Sequence, residues 1–382
     1  MTQKVASRQS PITSRECSLD NYFTAAMHAF ILPSLVTGDW RLETPLAVAL
    51  SGGADSLALT LLANDWAQAY GASIVALTVD HRLREGSTAE AARVAEIMHA
   101  RGIAHTILTP AVLPSIRNPQ AQARARRYDA MLGYCGSAGI THLLLGHHAD
   151  DQAETVALQR HRGSSPASRA GMAFVASRGD ISLVRPLLGV RKAALIHYLE
   201  ARQIAWVEDP TNASDRYARN RLRQRLSDDE IMALWHEAQR QGALRHASDV
   251  ARNAWMTAHA TMTHGAATLA LDAWRALADH DQRMAYLSHS IRVIGGKTYR
   301  PRLAESTRLA ARIVGETAGR ATLGHCLVHW QGTTLEVAPE PAHATALDAP
   351  PQAPHMNRDA SHNPLVGPPF WWFNIPLHTA LE

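Results

Sequence analysis

The sequence predicts an α/β fold: a parallel sheet with helices on both faces, followed by a helical domain and a short irregular C-terminal region. Three observations carry this expectation. Between Leu46 and about residue 160, short apolar or β-branched runs alternate with longer stretches of helical periodicity. That order builds crossover units and a sheet covered on both sides. From Leu226 to about Val314 the pattern turns helical and strand-poor, carrying Ile231, Leu234, Trp235, Trp255, Leu271, Trp274, Met284 and Leu287. Beyond that, eight of the 19 prolines lie between Pro339 and Pro369, a composition that favours poorly ordered chain.

In chain order, Leu19 to Thr37 reads as a helix with Phe23, Met27, Phe30, Ile31 and Leu35 at helical spacing. Strands are expected at Leu46–Leu50, Ser73–Val79, His105–Leu108 and His142–Leu145, and helices at Ala54–Ala69, Ser87–Ala100, Asn118–Tyr134 and from Ala149. A small β element is expected over Ala321–Val337, turning at Gln331-Gly332. The apolar tail Phe370-Trp371-Trp372-Phe373 is expected to pack back or meet a partner. The expected division is 1–44 as leader and helix, 45–226 as catalytic domain, 227–320 as helical substrate-binding domain, and 321–382 as small β element and tail.

With 382 residues, 46% hydrophobic and 19% charged, the chain has two to three domains at about 150 residues each. No run of about 18 apolar residues is present, so no membrane association is expected. Cys17, Cys135 and Cys326 are odd in number, far apart and never in a C-x-x-C pair, which argues against disulfides, zinc ribbons and thioredoxin-like chemistry. Met1–Arg15 has no apolar core of a signal peptide, and a cytoplasmic location is the expectation. The net charge of +4 is uneven: residues 1–226 carry 25 basic against 19 acidic side chains, and the rest carries 13 against 15. Only Lys4, Lys192 and Lys297 are lysine among 38 basic residues. Codon bias is the ordinary reading of the 35 arginines, although a planar guanidinium also suits a phosphate-rich partner.

Three polar clusters fall at the carboxyl ends of expected strands, where ligands of open parallel sheets bind. In the first, Ser51-Gly52-Gly53-Ala54-Asp55-Ser56, two glycines allow a tight turn that aims N–H groups and a helix N-terminus at an anion such as pyrophosphate. The Walker lysine and spacing are missing. Read alone, Asp55 is equally a favourable first-turn charge, with Ser51 or Ser56 as cap. The second cluster is Val79 to Glu85, with Asp80, His81 and Arg84. The third is Gly146-His147-His148-Ala149-Asp150-Asp151-Gln152-Ala153-Glu154-Thr155. Asp151 and Glu154 share one helical face, whereas Asp150 points elsewhere and has the stronger structural claim. Adjacent His147 and His148 are poorly disposed to share one metal ion.

The first cluster resembles the S-G-G-x-D-S signature of the PP-loop ATP pyrophosphatases. With the second and third, and with Ala123-Arg124, Arg127-Tyr128, Arg162-Gly163-Ser164, Arg185-Pro186-Leu187-Leu188, Glu208 to Asn212 and Arg219-Asn220-Arg221, residues 46–225 resemble the bacterial tRNA(Ile)-lysidine synthetases. The resemblance implies a PP-loop, adenine nucleotide α-hydrolase-like sheet and a ligase. Its ATP adenylates the C2 oxygen of the wobble cytidine (position 34) of tRNA(Ile) with a CAU anticodon, and the side-chain amine of free L-lysine displaces AMP. It implies Ser51, Gly52, Gly53, Ala54, Asp55, Ser56, Asp80, His81, Arg84, Gly146 and His147 around ATP, with Asp55 toward Mg²⁺. Asp55, Asp151, Glu154 and Arg221 are the expected catalytic set. Arg219 and Arg221 are expected to reach phosphates, while Arg124, Arg127, Arg219 and Arg223 hold tRNA. The partners are thus tRNA(Ile) and lysine, with a homodimer left open. A tRNA thiolase with the same loop is the alternative, and it would want a reactive cysteine; a non-catalytic tRNA-binding relative is another.

Overall fold

The computed structural model describes residues 14–31, 44–80, 82, 86–110, 119–163, 166–207, 222, 225–297 and 300–341. They fall into two compact units, the first ending at Arg245 and the second beginning at His246.

The first unit is built on a six-stranded sheet. Its strands are β1 (Leu46–Ala49), β2 (Ile74–Val79), β3 (Ala104–Leu108), β4 (His142–Leu144), β5 (Val175–Arg178) and β6 (Ile181–Val184), in the spatial order β3-β2-β1-β4-β6-β5. All neighbours are parallel except β5, which runs antiparallel to β6 at the edge. Val48 pairs with Ala76 on one side and Leu144 on the other. The chain therefore winds outward from β1 to β3 and then returns to lay β4 on the other flank of β1. That reversal opens a crevice beyond the carboxyl ends of β1 and β4.

The crossover helices are α2 (Ala54–Ala69), α3 (Ser87–His99), α4 (Pro119–Ser137) and α5 (Ala149–His161), with α6 (Lys192–Ala201) after the β5–β6 hairpin. Helix α2 is apolar nearly all round, from Leu57 to Ala67, because α6 and the sheet both cover it. On the other face α4 buries Met131 and Cys135 against Ala47, Val75 and Leu143. The N-terminal helix α1 is Ser14–Ile31, starting earlier than expected, and it places Phe23 and Met27 in the core; the expected extension to Thr37 lies outside the described residues. The hairpin of β5 and β6 is an addition to the expected parallel sheet. Its strands have four residues each, too short for a readable alternation, and Gly179 at φ +60° makes their turn.

Helix α7 (Asp228–His259) carries the chain from the first unit into the second. The second unit contains β7 (Ala260–Thr263), β8 (Ala266–Ala270), α8 (Leu271–Arg275), α9 (His280–Ile294), α10 (Leu303–Gly315), β9 (Gly319–Leu323), β10 (Cys326–Gln331) and β11 (Thr334–Pro339). The expected helices are there, and so is the turn at Gly332, with φ +58° between β10 and β11. The β structure is larger than expected: β7 and β8 fall inside the predicted helical stretch and complete a five-stranded antiparallel sheet, ordered β7-β8-β11-β10-β9. Trp274 and Trp330, both fully buried, anchor its core with Leu287, Ile291 and Ile313. The proline-rich segment and the Phe370–Phe373 tail lie outside the described residues.

Candidate active site

The loop after β1 is fixed by its own side chains. Ser51 N–H donates to Ser56 Oγ at 3.1 Å, the two hydroxyls lie 3.1 Å apart, and Ser56 Oγ donates to the Gly53 carbonyl at 3.0 Å. The N-cap of α2 is Gly53, not Ser51 or Ser56, and no side chain caps it. Gly52 has φ +86°, and a Cβ there would lie 2.7 Å from Val94 Cγ2. Glycine is thus required by both conformation and space. Its carbonyl accepts from Val207 N–H at 2.9 Å. Asp55 follows in the first turn of α2.

The loop after β4 comes against this turn through Gly146. A Cβ at Gly146 would lie 3.1 Å from the Asp55 carbonyl oxygen and 3.2 Å from Ser56 Cα. The close approach delivers His148 to Asp55. The imidazole of His148 is fully buried, with Nε2 3.5 Å from carboxylate oxygens of both Asp55 and Asp151, and Nδ1 3.5 Å from Asp150. Burial alone would push this ring down, but Asp151, Asp150 and Asp55 outweigh it and hold it up at about 10. The site therefore contains a buried histidinium surrounded by three carboxylates from two helices.

Asp151 also accepts from the His148 backbone N–H at 3.2 Å, closing the first turn of α5. Glu154 lies one turn along the same helix and is buried. Asp150 points to α6: it accepts from Lys192 N–H at 2.9 Å and from Arg191 Nε at 3.3 Å. Its carboxyl is held well below the usual range, because His148, Lys192 N–H and Arg191 outweigh its burial. The ammonium of Lys192 stands 3.8 Å from Asp55. His147 differs from its neighbour. Burial, with help from Arg185 and Arg124, overcomes Asp151 and pushes it down to about 4, so its ring is neutral and its buried Nδ1 has no hydrogen-bond partner among the described residues.

Asp80 is 4% exposed and accepts from Arg82 N–H at 3.0 Å, Ser87 Oγ at 2.8 Å and Thr88 Oγ1 at 2.8 Å. Its two oxygens thus tie the end of β2 to Arg82 N–H and to the first turn of α3. Arg124 and Arg127 are exposed on α4, and the Arg124 guanidinium lies 5.7 Å from the Tyr128 ring centroid. His81, Arg84, Arg219, Arg221 and Arg223 lie outside the described residues.

The structure thus brings Ser51, Asp55, Gly146, His147, His148 and Asp151 together, and adds residues to which sequence reasoning gave no role: His148 as central cation, Lys192, Arg191 and Arg185. Arg185 directly follows β6, is 9% exposed and donates to the Ala173 carbonyl at 2.7 Å. Its position in the Arg185-Pro186-Leu187-Leu188 run, just past a strand, was the available signal. Burial pushes the thiols of Cys135 and Cys326 up to about 11, so neither has the thiolate character a thiolase cysteine needs.

The glycine loop after β1 lies at the switch point of a mostly parallel sheet, and the family model of the ATP-binding PP-loop domain matches residues 27–230, so the chain is a PP-loop protein. The relatives narrow the class. The tRNA(Ile)-lysidine synthase of Hyphomonas neptunium is 34% identical over 79% of this chain and 83% of its own length. That of Ruegeria pomeroyi is 34% identical over 84% and 77%, respectively. Among solved structures, a U34-tRNA thiolase, NcsA from Methanococcus maripaludis, is similar with a TM-score of 0.47 and 16% identity, over 60% of this chain and 81% of that one. The chain belongs to the tRNA(Ile)-lysidine synthase family.

Among the described residues no helix is long and apolar enough to cross a membrane.

Proposed function

We propose that this chain uses ATP to join free L-lysine to C2 of the wobble cytidine in tRNA(Ile) with a CAU anticodon, giving lysidine, AMP and pyrophosphate. The observation that carries this reading is the junction of Asp55, in the first turn after the Ser51–Ser56 loop, with His148 and Asp151 at the switch point of the sheet. A pyrimidine carbonyl oxygen leaves only after activation. In the first step that oxygen attacks the α-phosphorus of ATP and pyrophosphate departs. In the second the lysine ε-amine attacks C2, and the oxygen departs with AMP.

The N–H groups of the loop and the start of α2 suit the β and γ phosphates. Among the described residues no three His, Cys, Asp or Glu side chains are arranged to cage a metal. Magnesium is commonly held by one or two carboxylates plus substrate phosphates. Asp55 fits that donor set, and the ion would supply charge neutralisation at the departing pyrophosphate. Asp151 and Glu154 would hold the substrate ammonium, whose ordinary pKa near 10.4 demands a proton acceptor before attack. His148 offsets part of the acidic charge and fixes Asp55 and Asp151 relative to one another. Arg221 and Arg219 would meet phosphates, and Arg124, Arg127, Arg219 and Arg223 the tRNA backbone. The second unit would complete tRNA binding, in the cytoplasm.

The test is incubation with ATP, Mg²⁺, lysine and the CAU isoleucine tRNA, followed by digestion and mass analysis of the wobble nucleoside. A lysine adduct that depends on ATP is expected; unmodified or thiolated cytidine would refute the reading. Asp55→Asn should abolish pyrophosphate release.

A further inference from the structure

Resting on the ATP-dependent reading above, we infer that Lys192 is a ligand of the ATP phosphates and of the departing pyrophosphate. Lysine is scarce in this chain, at three residues against 35 arginines, so one beside Asp55 is not compositional background. Its position is set by the fold. Its own N–H donates to Asp150 at 2.9 Å, and Arg191 before it binds the same carboxylate at 3.3 Å. Leu195, Tyr198 and Leu199 then bury α6 in the core that holds α2. The start of α6 is thereby fixed to the start of α5, and the Lys192 ammonium projects to within 3.8 Å of Asp55 Oδ2.

Nothing in α6 itself favours this lysine. A cation in the first turn of a helix opposes the macrodipole. A pair with side chains 33% and 30% exposed is worth little on its own. The same Asp55 oxygen already has the buried His148 ring 3.5 Å away. An additional, partly exposed ammonium at the mouth of a loop shaped for a polyanion is explained by charge that arrives with the substrate. When the bond between the α-phosphorus and the bridging oxygen breaks, the pyrophosphate gains negative charge, and an ammonium within reach of Asp55 compensates it without forming a covalent bond.

Three lysines make the chemical test clean. The full chain is treated with pyridoxal 5′-phosphate, whose phosphate seeks an anion site and whose aldehyde condenses with a nearby amine, losing water; borohydride then reduces the imine. Peptide mass mapping should find Lys192 labelled, and saturating inorganic pyrophosphate should suppress that label while sparing Lys297. In parallel, Lys192→Met should weaken inorganic pyrophosphate binding about tenfold by calorimetry, and Lys192→Arg should restore most of it, with both variants folded by circular dichroism. Labelling of Lys192 that pyrophosphate does not suppress, or Lys192→Met binding pyrophosphate as the wild type does, would overturn the assignment. A wild-type protein that makes no lysidine yet passes the pyrophosphate tests would remove the synthetase reading and leave the assignment standing.

Discussion

His148 Nε2 lies 3.5 Å from Asp55 Oδ2, joining the helix that begins at the phosphate loop to the helix that begins after β4. The ring is fully buried, and Asp151 and Asp150 complete its surroundings. A histidine held up at about 10 in the fold and near 6.5 when unfolded stabilises the protein fully below pH 6.5. That contribution is lost as pH rises from 6.5 through 10, each pH unit being worth up to about 1.4 kcal/mol. The wild-type Tm should therefore fall across this window, and His148→Gln should be less stable at pH 6.5 and flatten the decline. Thermal melts from pH 6 to 10 check this; parallel curves for the two proteins would refute it.

The backbone of the phosphate loop offers a prediction with two separable parts. Gly52→Ala meets an unfavourable φ of +86° and a contact of 2.7 Å with Val94 Cγ2. The conformational part should cost about 1–2 kcal/mol, and the steric part adds to it. Gly52→Ala combined with Val94→Ala should recover the steric part alone, relative to Val94→Ala. Denaturant midpoints of the four proteins give the partition, and full recovery in the double variant would show that the positive φ carries no cost.

The loop and the strands were legible because each is local. An apolar strand, two glycines and a helix start are read directly from Leu46 to Ala69, and the structure moves the expected cap from Ser51 or Ser56 to Gly53. Asp151 and Glu154 were readable as one face of one helix. The function of His148 was not, because its three carboxylates come from two helices that Gly146 brings together, and a pair of adjacent histidines says nothing about which ring is buried. Arg185 and Lys192 escaped for the same reason: their neighbours are set by the order β1-β4-β6, not by spacing in the chain. The β5–β6 hairpin was missed because Val175–Arg178 ends in serine and arginine and half of it is exposed.

Asp80 should behave as the tie between the end of β2 and the start of α3. Its carboxyl is held below the usual range because hydrogen bonds from Thr88, Arg82 and Ser87 outweigh its burial. The stabilisation is present above the unfolded value near 3.9 and disappears as pH falls through the lower folded value. Asp80→Asn keeps the shape but loses the charge on these bonds, a change of about 1–3 kcal/mol. Chemical denaturation at pH 7 should show this loss, and the difference from wild type should shrink toward pH 3. A gap that stays constant to pH 3 would refute the charged role.

Arg124 is exposed on α4, yet its charge is felt by buried groups at the strand ends: it helps depress both His147 and Arg185, secondary in each case to burial. The Arg124 guanidinium lies 5.7 Å from the Tyr128 ring centroid, and the tRNA-backbone contact proposed for it above can be tested by salt dependence. Arg101 is a control of like charge. It is exposed, its Nη1 donates to the Ile97 carbonyl at 3.2 Å, and it precedes β3 at the amino ends of the strands. Arg124→Ala should weaken tRNA binding for all sequences alike and reduce the slope of log affinity against log salt by about 1. Arg101→Ala should leave slope and affinity unchanged. Filter binding from 50 to 300 mM salt separates the two, since a lost phosphate contact changes the slope whereas a distorted site lowers affinity equally at every salt concentration. An unaltered slope in Arg124→Ala would remove this arginine from the tRNA interface.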